Sequence, residues 1–111
     1  MAPYERGDVV KGPDLFADHS YRPFVCVSDT THPFATEEAL YAALTSTPRP
    51  EAIALEAADF ESGGLPRESY VNPWTIASIR HADIDGREGR LTESTIDEIA
   101  RQCGRHLGLD V

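Results

Sequence analysis

Between Gly7 and Ile79 the chain runs as short apolar segments, each closed within a few residues by glycine, proline or a hydroxyl-rich turn. Gly7 to Lys11 reads as a strand ended by Gly12-Pro13, and Pro23 to Ser28 as a second, ended by Asp29-Thr30-Thr31-His32-Pro33. Asp14 to Tyr21 between them is a polar loop. Glu51 to Glu56 alternates around Ile53 and Leu55, Gly63-Gly64-Leu65-Pro66 is a turn, and Ser69 to Val71 and Trp74 to Ile79 form two more strands. Strands this short and this closely spaced confine the chain to a small barrel or a sandwich.

Two segments depart from that rhythm. Thr36-Glu37-Glu38 followed by Ala39, Leu40, Ala42 and Ala43 has the propensity of a capped helix, yet Leu40, Ala42 and Leu44 alternate as in a strand. At the end of the chain Thr92 caps a helix of about 93–107. Ile96, Ile99, Ala100, Cys103 and Leu107 recur there on one face. Acids fall in its first half and Arg101, Arg105 and His106 in its second, the order the helix dipole favours. Gly108 is its stop. Residues 1–111 are expected to form one domain, with no repeat, linker or low-complexity tract.

Charge narrows the setting. Nineteen acidic residues face ten basic ones, and Lys11 is the sole lysine. An acidic, lysine-poor surface suits a very salty cytoplasm; an ordinary acidic protein is the alternative. At ~1 M salt the Debye length is ~3 Å, so distant acidic charge does not bar a nucleic-acid substrate, although a broad basic footprint is excluded. No apolar run approaches the ~20 residues of a membrane span, and the start lacks the pattern of a signal peptide, so the cytoplasm is the expected compartment. Cys26 and Cys103 lie far apart at apolar positions and read as small buried hydrophobes. The four histidines have no metal-ligand spacing, and no metal or cofactor is expected.

Five motifs occur in order: Arg6-Gly7-Asp8-Val9-Val10, Arg22-Pro23-Phe24-Val25-Cys26-Val27-Ser28, Ala43-Leu44-Thr45-Ser46, Ser69-Tyr70-Val71-Asn72-Pro73-Trp74-Thr75-Ile76 and Gly89-Arg90-Leu91-Thr92 with the helix that follows. Together they resemble the MazF/PemK family of toxin endoribonucleases, and the insert from His32 to Leu40 is closer to a PemK-like subgroup. The resemblance implies a mostly β fold, a small SH3-like barrel with a C-terminal α-helix. It favours a strand over a helix before Thr45. It also implies a homodimer that cuts single-stranded RNA, and a cognate antitoxin whose flexible segment covers the RNA groove. The loop before Arg22-Pro23 is shorter than the family's usual glycine-rich loop. Tyr70-Val71-Asn72 stands where some members carry an acid–base pair of arginine and aspartate, so that pair is not carried over.

Cleavage by the 2′-hydroxyl needs a base, a donor to the charged phosphorane and an acid for the leaving 5′ oxygen. The nucleophile lies within the substrate, so no metal is required. Arg22 is the candidate for the phosphate, because its planar fork donates two hydrogen bonds to phosphate oxygens. The alternative is an ion pair with Asp14 or Asp18. Thr45 can hydrogen-bond the phosphate or the 2′-hydroxyl, with Ser46 and Thr47 beside it; otherwise it satisfies the backbone at a strand end. His19 is a candidate acid or base, or an exposed loop histidine; His32 and His81 are weaker candidates. Tyr21, Phe34 and Trp74 can stack on bases, although such aromatics are more often core, and Trp74 reads first as core or dimer interface. The other reading of the whole is a barrel that binds RNA or a protein partner without cutting.

Overall fold

The structure, a computed structural model, describes residues 2–15 and 21–111. The strands are β1 (Asp8–Pro13), β2 (Tyr21–Cys26), β3 (Glu38–Thr45), β4 (Ile53–Leu55), β5 (Phe60–Gly63), β6 (Ser69–Arg80) and β7 (Gly86–Leu91), followed by the helix α1 (Glu93–His106). They form one seven-stranded sheet in the order β4-β6-β3-β2-β1-β7-β5. Every pairing in it is antiparallel. The mostly β fold with a C-terminal helix is the one expected. The sheet is an open, curled one, with β4 and β5 at its edges.

The central strands read as unbroken apolar runs because both of their faces are buried. Val9, Val25, Ala42, Leu44 and Val71 lie on one side, covered by Ile96, Ile99 and Cys103 of α1. Val10, Phe24, Cys26, Tyr41 and Ala43 lie on the other, closed by Ile79 and Ile84 with Tyr4 against them. Membership alternates residue by residue along each strand, as the two-residue side-chain period demands. Thr92 accepts from the Thr95 amide as N-cap of α1, Leu107 is the C-cap, and Gly108 follows at φ +89°.

Two expectations are corrected, and a third is met against local propensity. The segment from Ser69 to Ile79 is one strand, not two. Its pairing with β3 passes from Ala42↔Ile76 to Ala43↔Asn72, so Pro73, Trp74 and Thr75 bulge out of register. Proline, lacking an N–H, is tolerated in a strand at such a bulge. The bulge also turns Trp74 outward. It is 39% exposed and meets the His106 ring edge-on at 5.6 Å, so it is not core, and Tyr21 and Phe34 are likewise exposed. The segment before Thr45 is a strand, as the resemblance implies: its helical propensity is overridden because β2 and β6 pair with β3 on both sides. The smaller differences are at boundaries: β2 starts at Tyr21 and stops at Cys26, and β4 keeps only Ile53 to Leu55.

Asp8 explains why the chain opens as it does. Its side chain is 2% exposed, yet it receives Arg90 Nη1 at 2.6 Å. The Glu5 amide donates to its second oxygen at 2.8 Å. The carboxylate thus pins β1 to β7 and closes the turn before β1. Arg6 reaches α1 through Asp97 at 2.9 Å. Cys26 and Cys103 are free and buried, as expected. Burial pushes the Cys26 thiol up to about 12 and the Cys103 thiol to about 11. Neither is a nucleophile near neutral pH.

Candidate active site

The register of β2 on β3 builds the site. Phe24 pairs with Ala43, and extending the antiparallel ladder by two residues brings Arg22 opposite Thr45. Arg22 Nε donates to the Leu44 carbonyl at 3.1 Å, which fixes the guanidinium against the end of β3. On its other side Arg22 pairs with Gly12 of β1. A Cβ at Gly12 would stand 3.1 Å from the Phe24 ring and 3.3 Å from Ile84, so glycine is what lets the core close directly beneath this end of the sheet.

Thr45 ends β3, and its hydroxyl accepts from the Thr47 amide at 3.1 Å. That bond orients the oxygen and leaves its proton free to be donated elsewhere. Ser46 and Thr47 continue the same exposed turn. A groove of about 570 Å³ takes in Tyr21, Arg22, Thr45, Ser46 and Thr47 together. Five of the six residues singled out from the sequence are therefore neighbours. The sixth, His19, lies outside the described residues, as does Asp18.

The sequence reading missed the rest of the lining. Lys11 comes from β1, Asp14 from just beyond it, Arg67 from the approach to β6, Ser69 from its first position and Glu88 from β7. In the sequence Lys11 and Arg67 read only as isolated charges, because they meet Arg22 and Thr45 only once the sheet is assembled. Gly63 makes this wall possible. It stands at φ +65°, where a Cβ would lie 2.4 Å from the Glu88 carbonyl oxygen. The close crossing of β5 on β7 delivers the 64–68 segment to the groove. Among the described lining residues, Lys11, Arg22 and Arg67 face Asp14 and Glu88. The described lining thus carries a formal charge of +1 in a chain whose net charge is −9.

The other histidines are engaged elsewhere. His81 is buried, with Nε2 2.8 Å from the Ala35 carbonyl. That contact requires a proton on Nε2, leaving Nδ1 to face the Tyr41 hydroxyl at 3.4 Å. His32 Nδ1 accepts from the Phe34 amide at 2.9 Å. Asn72 is buried, and its side-chain oxygen has no hydrogen-bond partner among the described residues. It does not line the groove. No group of three or more His, Cys, Asp or Glu side chains among the described residues is placed to hold a metal ion. No helix among them is long and apolar enough to cross a membrane.

Comparison with known proteins gives the fold its relatives. The chain is similar to an endoribonuclease, solved in complex with its cognate antitoxin, from a mycobacterial species, at 24% identity and TM-score 0.76, over 100% of this chain and 99% of that one. It is similar to the toxin MazF-mt6 of Mycobacterium tuberculosis at 21% identity and TM-score 0.71, over 96% and 100%. It is also similar to a chain of the MazE-MazF structure from Deinococcus radiodurans at 17% identity and TM-score 0.72, over 99% of each. No curated protein matches it by sequence. The family model for PemK-like, MazF-like toxins matches residues 5–107, nearly the whole chain. With the ordered motifs and the open seven-stranded sheet, that match places this protein in the PemK-like, MazF-like toxin family of type II toxin–antitoxin systems.

Proposed function

We propose that the protein is the endoribonuclease toxin of a type II toxin–antitoxin system, cutting single-stranded RNA without a metal ion. The observation that carries this reading is the groove. It gathers an arginine fork, a strand-end threonine, two further hydroxyls and an exposed aromatic ring at one end of the β2–β3 pair. The relatives named above, an endoribonuclease among them, support it.

Arg22 holds the scissile phosphate and stabilises the charge that builds on it, its guanidinium being anchored at the end of β3 through Leu44. Thr45 donates its proton to the phosphate or the 2′-hydroxyl. Tyr21, Ser46, Thr47 and His19 bind the flanking nucleotides. The base that takes the 2′ proton is drawn from Asp14, Glu88 or His19, because a guanidinium with pKa above ~12 is a poor base. No cofactor takes part. The toxin acts as a homodimer in the cytoplasm, and a cognate antitoxin silences it by covering the groove.

The chemistry of the product ends tests this. Attack by the 2′-hydroxyl leaves a 2′,3′-cyclic phosphate and a free 5′-hydroxyl. A 2′-deoxy substitution at the cut site should abolish cleavage. Fragments ending in 3′-hydroxyl and 5′-phosphate would show attack by water and overturn the mechanism.

A further inference from the structure

Lys11 is the chain's only lysine, and it is held on two sides. Its ammonium lies 4.6 Å from the centroid of the Tyr21 ring, over the face, and 3.7 Å from Asp85 Oδ2. The Asp85 amide also donates to the Lys11 carbonyl at 2.8 Å. The β1–β2 register explains the first contact. Lys11 pairs with Pro23 and Pro13 with Tyr21, so Lys11 and Tyr21 are diagonal cross-strand neighbours.

Tyr21 is 51% exposed although it heads a central strand. A cation that covers one face of an exposed aromatic ring fixes its tilt and leaves the opposite face for another partner. Both residues line the groove, and Tyr21 directly precedes the phosphate-holding Arg22 in β2.

We propose that Lys11 is a positioning residue that holds the Tyr21 ring as a platform on which one unpaired base of the RNA stacks, beside the phosphate held by Arg22. This deepens the endoribonuclease reading and rests on it. Stacking on a tyrosine face is tolerant of base identity. The platform therefore sets how tightly the strand is held, not which sequence is cut.

Binding of single-stranded DNA tests this apart from catalysis, since DNA lacks the 2′-hydroxyl and is not cut. Two labelled probes of equal length are compared, an oligothymidylate and an abasic oligodeoxynucleotide with the same phosphates. Tyr21→Leu should weaken oligothymidylate binding roughly ten-fold, the scale of one base–aromatic stack, and leave the abasic probe unchanged. Tyr21→Phe should bind as wild type does. Lys11→Gln should weaken the oligothymidylate about two- to five-fold, with Lys11→Arg restoring it. Equal weakening of both probes by Lys11→Gln would make Lys11 a phosphate contact and overturn the proposal. So would unchanged oligothymidylate binding by Tyr21→Leu, or no binding by the wild type. A wild type that binds oligothymidylate as described but leaves RNA intact would overturn the endoribonuclease reading alone. Thermal melting of each variant checks that substitution at either position leaves the fold in place.

Discussion

Replacing Arg90 by methionine should destabilise the protein more than replacing Asp8 by asparagine, although both changes break the same ion pair. The reason is unequal burial: Asp8 is 2% exposed at its side chain and Arg90 is 31% exposed. Without Arg90, a buried carboxylate keeps, among the described residues, the Glu5 amide at 2.8 Å and Arg87 at 3.6 Å, itself more than half exposed. Stranding one member of a buried pair costs ~3–5 kcal/mol, and these two remaining contacts place Arg90→Met near the lower end, about 3 kcal/mol. Without the Asp8 charge, Arg90 still has Glu5 and Glu61, each at 3.6 Å, and solvent. Asp8→Asn therefore loses little beyond one charge-assisted hydrogen bond, about 1.5–2 kcal/mol. For a domain of this size 1 kcal/mol moves Tm by ~4 °C, so the drops should be about 12 °C and about 7 °C. Urea unfolding at neutral pH, with unchanged m-values, measures both variants and the double variant. The double variant should fall short of the sum by about 1 kcal/mol or more. Two variants within ~0.5 kcal/mol of wild type, the scale of a surface ion pair, would refute this account of Asp8, as would an Asp8→Asn variant that is the weaker of the two.

Thr92→Ala should cost about 1 kcal/mol by removing the N-cap of α1, visible as a lower urea midpoint. Gly63→Ala should lower Tm by several degrees, because the left-handed backbone costs about 1–2 kcal/mol before the contact with the Glu88 carbonyl is counted. An alanine variant as stable as wild type would show that β5 does not cross β7 as described. The two thiols are raised by burial to about 12 and about 11 from 9.0, so the folded state keeps protons that the unfolded state releases. Their contribution is therefore complete below pH 9 and declines as pH rises toward about 12, which stability measured by urea unfolding against pH would reveal. Neither thiol should react with a thiol reagent at neutral pH until the protein unfolds. Tm should rise from low to molar salt as the net charge of −9 is screened; a flat profile would contradict the reading of a salt-adapted surface.

The parts of the fold legible in the sequence were those where one signal dominates. Thr92, the Ile96-Ile99-Cys103 stripe and Gly108 give α1 its limits almost to the residue. The runs at Val9-Val10 and Phe24 to Cys26 give β1 and β2, because burial on both faces leaves no polar residue to interrupt them. β7 escaped notice because Gly-Arg-Glu-Gly-Arg-Leu has neither alternation nor β-branched residues. It is held in the sheet by its neighbours and by Arg90 on Asp8. β5 escaped because Phe60-Glu-Ser-Gly is short and lies at an edge. The bulge at Pro73 looked like a strand break since proline cannot join the ladder, yet the pairing resumes beyond it. Of the candidate groove, Arg22 and Thr45 stand out in the sequence through motifs, whereas Lys11, Arg67 and Glu88 reach it only through the assembled sheet, which no local pattern encodes.

The most direct test of the functional account is cleavage of a long single-stranded RNA at molar salt with EDTA present, wild type beside Arg22→Ala. Discrete fragments from the wild type and intact RNA with a folded Arg22→Ala variant are the predicted result. Equal cleavage by both proteins, or none by a folded wild type, would contradict it.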